Sequence, residues 1–384
     1  MRSREGIGDA ALFQKPRNIR SKEEREKELR PLFGTPLFGT DVLAFDIGGA
    51  NIKAADGLGW VHSEPFELWR RRSELPAALA RIVSSRCPGR IVATMTGEIA
   101  DCYASRREGV ADIVTAVMSA SRAAAGPACS VGIYLVDGMI VPPEDAVKSP
   151  LAAAASNWHA VARLAAAAAT TDLAFLIDIG STTTDIVPLV DRAPAAMGHD
   201  DVTRMAAGEL VYTGVERTPI SAIVRSLPWR GCRHPVTSEL FAQSLDVWLL
   251  LGGLAEEPES MKSGTISTAD GGPATRAAAQ RRLARMVLAD PEQVTEDDAI
   301  AMAAWCADRQ SLQVARALRR VAASCNWQPR SIVLSGHGGC LARRALARVG
   351  WDVDLVSLPD TLGPDVSRAA PAHSLALIAR GQLA

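Results

Sequence analysis

The sequence predicts an α/β protein of two related lobes, and three observations carry that prediction. Asp46-Ile47-Gly48-Gly49 follows the apolar run 42–45, and Asp178-Ile179-Gly180-Ser181 follows the apolar run 173–177. Strand-like and helix-like stretches alternate after each phrase. A third glycine loop, Ser335-Gly336-His337-Gly338-Gly339, lies between the apolar run 331–334 and a helix resuming at Cys340. Glycine lets backbone N–H groups approach an anion, and an Asp at a strand end can hold a divalent cation directly or through water. Two such turns predict two lobes closing on one polyphosphate.

Residues 1–40 stand apart, with mixed charges at 20–28 and the tandem Pro31-Leu32-Phe33-Gly34-Thr35 and Pro36-Leu37-Phe38-Gly39-Thr40. They read as a flexible or partly helical extension. The first lobe, 41–170, opens with a hairpin whose return strand is Asn51-Ile52-Lys53-Ala54-Ala55, before a turn at Asp56-Gly57. A helix over 74–85, a strand over 90–94, a helix over 107–123 and a strand over 131–135 follow. The alanine-rich stretch 151–169 predicts one helix with Asn157-Trp158-His159 in its middle, because alanine has the highest helix propensity.

The second lobe, 171–364, opens with the second hairpin, its return strand running from Thr182 to Leu189. A helical insertion is predicted over 274–289, 294–307 and 309–325. The strand 331–334 then feeds the glycine loop, where a glycine turn between a buried strand and a helix start suits a nucleotide or phosphate. Residues 365–384 are expected to form a helix packing back on the first lobe.

Composition narrows the function classes. The 384 residues are 48% hydrophobic and 22% charged with net charge −1, which gives no whole-protein electrostatic case for nucleic acid or a membrane surface. Small-molecule partners are the default. Seven cysteines without a C-x-x-C pair suit reduced thiols in a cytoplasmic protein and argue against zinc; Cys232 and His234 lack further ligands nearby. No apolar run reaches about 18 residues, and Met1-Arg2-Ser3-Arg4-Glu5 lacks the apolar middle of a secretion signal.

The three glycine elements, in this order, resemble the actin, sugar-kinase and Hsp70 superfamily. The match places 46–53 on the first phosphate element, 178–185 on the second and 335–339 on the adenosine-type loop. It implies a two-lobed actin-like ATPase fold, a duplicated ribonuclease H-like unit. Closer phrases are Phe45-Asp46-Ile47-Gly48-Gly49-Ala50-Asn51-Ile52-Lys53, Met95-Thr96-Gly97-Glu98-Ile99-Ala100-Asp101, Asp178-Ile179-Gly180-Ser181-Thr182-Thr183-Thr184-Asp185 and Gly208-Glu209-Leu210-Val211-Tyr212-Thr213-Gly214-Val215-Glu216-Arg217-Thr218-Pro219. They resemble a hydantoinase/oxoprolinase-related branch linked to tetrahydromethanopterin-dependent one-carbon transfer. The resemblance implies methanofuran or methylofuran synthesis: an aminomethylfuran diphosphate joined to the phenol oxygen of a tyramine- or tyrosine-type acceptor, with release of pyrophosphate. Mg²⁺ is expected, and ATP is possible but not required. Two other classes stay open: an ATP-dependent small-molecule kinase or amide-bond enzyme, and a nucleotide-dependent regulator or assembly protein. The latter is weakened because no peptide-binding domain or filament-type insertion is evident.

Candidate residues follow. Gly48, Gly49, Asn51, Lys53, Gly180, Ser181, Thr182, Thr183, Gly336, Gly338 and Gly339 are candidates for phosphate, with a solvated strand lysine as the alternative for Lys53. Asp46 and Asp178 are candidates for catalysis and for metal, and Asp185 for metal or for a structural salt bridge. Glu98 and Asp101, three apart, would share one face of a first helical turn, so that one of them serves as general base; the helix dipole alone would also favour them. Glu209, Tyr212, Arg217 and Thr218 form a dense polar phrase that contacts substrate or metal, or is a structured loop. His337 touches a ligand by position or is simply a loop residue. The tryptophans, Trp248 included, are expected in the core.

Overall fold

Fourteen strands among residues 42–257 and 268–383, the residues that the computed structural model describes, form two main sheets and one hairpin. The 1–40 extension lies outside the described residues. In the first lobe the strands are β1 (Val42–Ile47), β2 (Asn51–Ala55), β3 (Val61–Pro65), β4 (Arg90–Met95), β5 (Ser130–Tyr134) and β6 (Ile140–Val141). In the second they are β7 (Leu173–Ile179), β8 (Thr184–Val190), β9 (Ala193–Pro194), β10 (Leu210–Val211), β11 (Ser226–Trp229), β12 (Cys232–Pro235), β13 (Ser331–Gly336) and β14 (Asp354–Ser357).

Sheet order is β3-β2-β1-β4-β5-β6 in one lobe and β10-β8-β7-β13-β14 in the other. In both, an antiparallel hairpin continues into two parallel strands: β2-β1 into β4 and β5, and β8-β7 into β13 and β14. The shared order and directions make the lobes copies of one unit, the duplicated two-lobed α/β fold that the sequence predicts. Burial on both faces of a parallel sheet explains why β1, fully buried, reads as an unbroken apolar run up to its Asp.

Each lobe has its own core. Phe45, Ile91 and Ile133 pack beneath Leu79 and Val83 of the helix Leu75–Arg86 and Ile113 and Val117 of the helix Arg106–Ala124. Phe175, Ile177 and Trp248 pack with Met302, Cys306, Val314 and Leu318 of the helix Glu296–Cys325. A smaller cluster joins Val42, Ala44 and Val92 to Ala160 of the helix Asn157–Ala168 and to Leu375 and Ala376 of the helix Ala370–Ala379.

Several boundaries differ from expectation. The 151–169 stretch is two helices, Pro150–Ala153 and Asn157–Ala168, broken where Ala154 bridges to Met95 and Ala155 takes φ +48°. Trp158 and His159 therefore open a helix instead of sitting in its middle. The segments 294–307 and 309–325 are one 30-residue helix, whose buried face continues through the hydrogen-bonded Gln310 and Ser311. The first insertion helix is shorter, Arg276–Met286. Thr182 and Thr183 belong to the turn, and the return strand starts at Thr184. Cys232 and His234 lie in the β11–β12 hairpin, and no group of three His, Cys, Asp or Glu among the described residues could hold a metal by itself. None of the helices in the described residues is long and apolar enough to cross a membrane.

Candidate functional site

The two Asp-Ile-Gly phrases fold alike. Gly48 N–H donates to Asn51 O at 3.0 Å, and Gly180 N–H donates to Thr183 O at 3.0 Å, so each turn closes over the same three-residue step. Among the described residues, the N–H groups of Gly49, Ala50, Ser181 and Thr182 donate to no protein acceptor, which leaves them for an anion. Each turn is bracketed from outside. Leu68 N–H donates to Gly49 O, while the N–H groups of Val215, Glu216 and Arg217 donate to Gly180 O and Ser181 O. A Cβ on Gly214 would lie 2.6 Å from Gly180 O, and one on Gly97 would lie 3.1 Å from Gly48 C, so both brackets need glycine.

Register sets the charges. Asp46 pairs with Lys53 across the first hairpin, and at the corresponding step Asp178 pairs with Asp185 across the second. Lys53 Nζ lies 3.6 Å from Asp46 Oδ2, while Asp46 Oδ1 is buried without a hydrogen-bond partner. Burial raises the Asp46 pKa and Lys53 opposes the rise. Asp178 is pushed up to about 7, first by burial and then by Asp185, with Lys53 and Ser335 lowering it and Asp46 adding to the rise. Lys53 also acts on Glu216. Lys53 thus pairs with Asp46, and its charge also acts on Asp178 and Glu216 of the second lobe.

Asp185 is held elsewhere. Buried Arg204 donates to its Oδ1 at 2.8 Å, donates to Glu209 O at 3.1 Å, and lies 4.0 Å over the Trp158 ring. Asp185 thus makes the structural salt bridge that stood as the alternative to a metal-ligand role.

Glu98 is 1% exposed, and neither carboxylate oxygen completes a hydrogen bond within the protein. Its nearest cation is Arg106, at 3.6 Å, whose other nitrogen pairs with Asp201 of the second lobe. Burial pushes its pKa up to about 7; the backbone amides of Glu98 and Ala155 and the Arg106 charge offset this in part, and Asp201 adds to it. The close fit is built by Gly109, where a Cβ would stand 2.2 Å from Glu98 O. Asp101 does not join it. Only one 3-10 turn forms, Gly97–Ile99, and Ala100 is extended at ψ 148°, which carries Asp101 out to solvent.

Other candidates separate. Glu209 is 1% exposed and accepts from Met197 N–H at 2.7 Å and Gly198 N–H at 3.0 Å, so both of its carboxylate oxygens secure a loop. Tyr212 is 62% exposed. Thr218 is buried, its hydroxyl taking the Gly214 N–H at 2.9 Å. Arg217 lies over Trp69 of the first lobe. His337 Nε2 sits 2.9 Å from Glu216 Oε1, with Arg368 at 3.8 Å from the same oxygen. Gly338 is corrected as a phosphate donor, because its N–H donates to Ile179 O at 3.0 Å. Gly336, at φ +75°, is needed for packing, since a Cβ there would stand 2.2 Å from Ile179 O. Gly339 begins a helix.

Glu216, Arg106, Asp201, Arg204 and Ser335 act on the candidate residues and were not singled out by sequence reasoning. Glu216 and Ser335 carried a signal, as parts of the phrases 208–219 and 335–339.

The hydantoinase/oxoprolinase family model matches residues 90–350. The chain is 32% identical over 341 residues to the (4-{4-(2-(gamma-L-glutamylamino)ethyl)phenoxymethyl}furan-2-yl)methanamine synthase of Methanocaldococcus jannaschii, covering 88% of this chain and 97% of that one. It is 30% identical over 211 residues to the synthase of the same name from Methanococcus vannielii, covering 54% and 91%. A ROK family glucokinase from Streptomyces griseus, solved with glucose and AMPPNP, is similar at TM-score 0.39 and 13% identity over 88% of this chain and 98% of its own. The strand order, not that likeness, establishes the fold. The chain belongs to the hydantoinase/oxoprolinase family.

Proposed function

We propose that this protein is a transferase of methanofuran-type cofactor synthesis: it joins an aminomethylfuran diphosphate to the phenol oxygen of a tyramine- or tyrosine-type acceptor and releases pyrophosphate. One observation carries the reading. Two turns closed by the same hydrogen bond, with the Lys53 charge acting on Asp46 and Asp178, support an anion cradle in a chain that matches the furanmethanamine synthases over most of its length. The substrates are small molecules, as the names of those relatives require.

In this reaction the furfuryl carbon loses its bond to a diphosphate oxygen, which keeps the electron pair, while the phenol oxygen bonds to that carbon and sheds a proton. Free N–H groups at Gly49, Ala50, Ser181 and Thr182, with Lys53, face the charge that grows on the leaving group. The unpartnered Asp46 oxygen and the raised Asp178 carboxylate suit a Mg²⁺, which commonly takes one or two carboxylates and completes its shell with phosphate and water. Such a cation would offset diphosphate charge. Glu98 accepts the phenol proton; its pKa near 7 leaves it both ionised and basic at neutral pH.

Product analysis tests the reaction. The purified protein, offered furfuryl diphosphate, a phenolic amine and Mg²⁺ without ATP, is expected to release pyrophosphate and form the aryl ether detected by mass spectrometry. Acceptor-dependent formation of ADP from ATP, with no ether, would replace this reading by a kinase.

A further inference from the structure

One contact spans the two lobes at the turns themselves. Leu68 N–H donates to Gly49 O and Arg217 N–H donates to Ser181 O, each at 2.9 Å, so Trp69 and Arg217 are tied one to each turn. The Arg217 guanidinium lies over the Trp69 ring, 5.6 Å from its centroid. This is a looser stack than that of Arg204 on Trp158, at 4.0 Å. Both side chains are half-buried, neither sealed in a core nor free in solvent. A guanidinium in that position has two uses. It covers an indole face that would otherwise be wet, and it can turn to a phosphate through two parallel N–H bonds. The indole face it leaves accepts a flat aromatic ring.

We propose that Trp69 and Arg217 form the subsite that recognises a ring-bearing diphosphate: the ring of an arylmethyl diphosphate seats on Trp69, and Arg217 turns from the indole to the diphosphate oxygens. This rests on the diphosphate reading above and deepens it, because it makes the ring a part of what is recognised. Neither side chain alone does this. A cradle of turn amides and Lys53 binds any polyphosphate, whereas an indole at its edge distinguishes a furfuryl diphosphate from inorganic pyrophosphate. The same pair favours turnover, since the product pyrophosphate has no ring to hold it and the guanidinium can return to the indole.

Calorimetric titration of the full chain with Mg²⁺ separates the claims, using inorganic pyrophosphate and furfuryl diphosphate as probes. Wild type is expected to bind furfuryl diphosphate about tenfold or more tightly than pyrophosphate, the scale of ring-on-aromatic stacking. Trp69→Leu should erase that preference while keeping pyrophosphate affinity within about threefold, and Trp69→Phe should restore most of it. Arg217→Ala should weaken both ligands. A Trp69→Leu protein that keeps the full preference, or that loses both ligands alike, overturns the subsite. Wild type that binds pyrophosphate without preferring the furfuryl compound overturns it too and leaves the cradle standing. Failure of wild type to bind either probe removes the diphosphate reading and this inference with it.

Discussion

Glu98 is a carboxylate taken out of water without a full counter-charge, because Arg106 is shared with Asp201. A base held near pKa 7 is active only as pH rises through that value. The acid limb of kcat/KM is therefore expected near pH 7, and Glu98→Gln should lower turnover about a hundredfold or more and make that limb shallower, Asp178 supplying what is left of it. Asp101→Asn, a change at an exposed position, should stay within about twofold of wild type. Near-normal turnover in Glu98→Gln would discard the assignment. At the cradle, Asp46→Asn and Asp178→Asn should each cost at least about tenfold in turnover, roughly 1.4 kcal/mol of barrier. Wild-type rates with unchanged Mg²⁺ dependence in both would remove the paired-turn reading.

At the scale of elements, the brackets around the turns depend on groups far away in sequence. Gln310, fully buried, donates to Thr213 Oγ1 at 2.9 Å and to Gly214 O at 2.7 Å, and its own carbonyl accepts from Trp248 Nε1 at 3.0 Å. Gln310→Leu strands the Trp248 Nε1 donor and leaves Thr213 Oγ1 and Gly214 O with Thr218 alone, and should cost about 1–3 kcal/mol in a denaturant titration, with a loss of turnover because the bracket carries Glu216 and Arg217. Equal stability with normal activity would show that the bracket holds itself. Gly214→Ala forces a methyl against the Gly180 and Ser181 backbone and should be at least as damaging. The turns were legible in the sequence because a strand, an Asp and a glycine are adjacent along the chain. Gln310 was not: it sits in the helix that the sequence reading divided at 308, and its partners are 62 to 97 residues away. The Glu98–Arg106–Asp201 link was hidden for the same reason, since it joins two lobes. Glu209 looked chemical within its phrase, yet only the fold reveals the two backbone N–H groups that occupy it. The break at 154–156 escaped because alanine propensity is local, whereas the contact of Ala154 with Met95 is not.

For the whole molecule, the lobes meet across carboxylates that would rather be protonated. Burial raises the pKa of Asp46 and lifts those of Asp178 and Glu98 to about 7. A carboxylate whose folded pKa lies above its unfolded value binds its proton more tightly in the folded state. Its contribution is fully present below the unfolded pKa, near 4, and is lost as pH rises to the folded value, at about 1.4 kcal/mol per pKa unit. Asp178 and Glu98, with Asp246, are therefore expected to withdraw stability between about pH 4 and 7, while the buried imidazoles of His159 and His373, lowered to about 4, add it over much of the same window, so the carboxylate contribution is read as the difference between wild type and variants. A cation placed between Asp46 and Asp178 favours their ionised forms, so binding and deprotonation reinforce each other. Mg²⁺ with pyrophosphate should consequently raise Tm more at pH 8 than at pH 5.5. The Asp46→Asn/Asp178→Asn double variant should gain stability relative to wild type as pH rises from about 4 to 8 and should gain little from ligand at either value. Glu98→Gln separates the two contributions: it should be more stable than wild type at pH 8 while keeping the Mg²⁺ and pyrophosphate response, because Glu98 lies outside the cradle. An equal rise in Tm at both pH values, persisting in the double variant, would place the ion elsewhere and leave the cleft carboxylates without the role assigned to them.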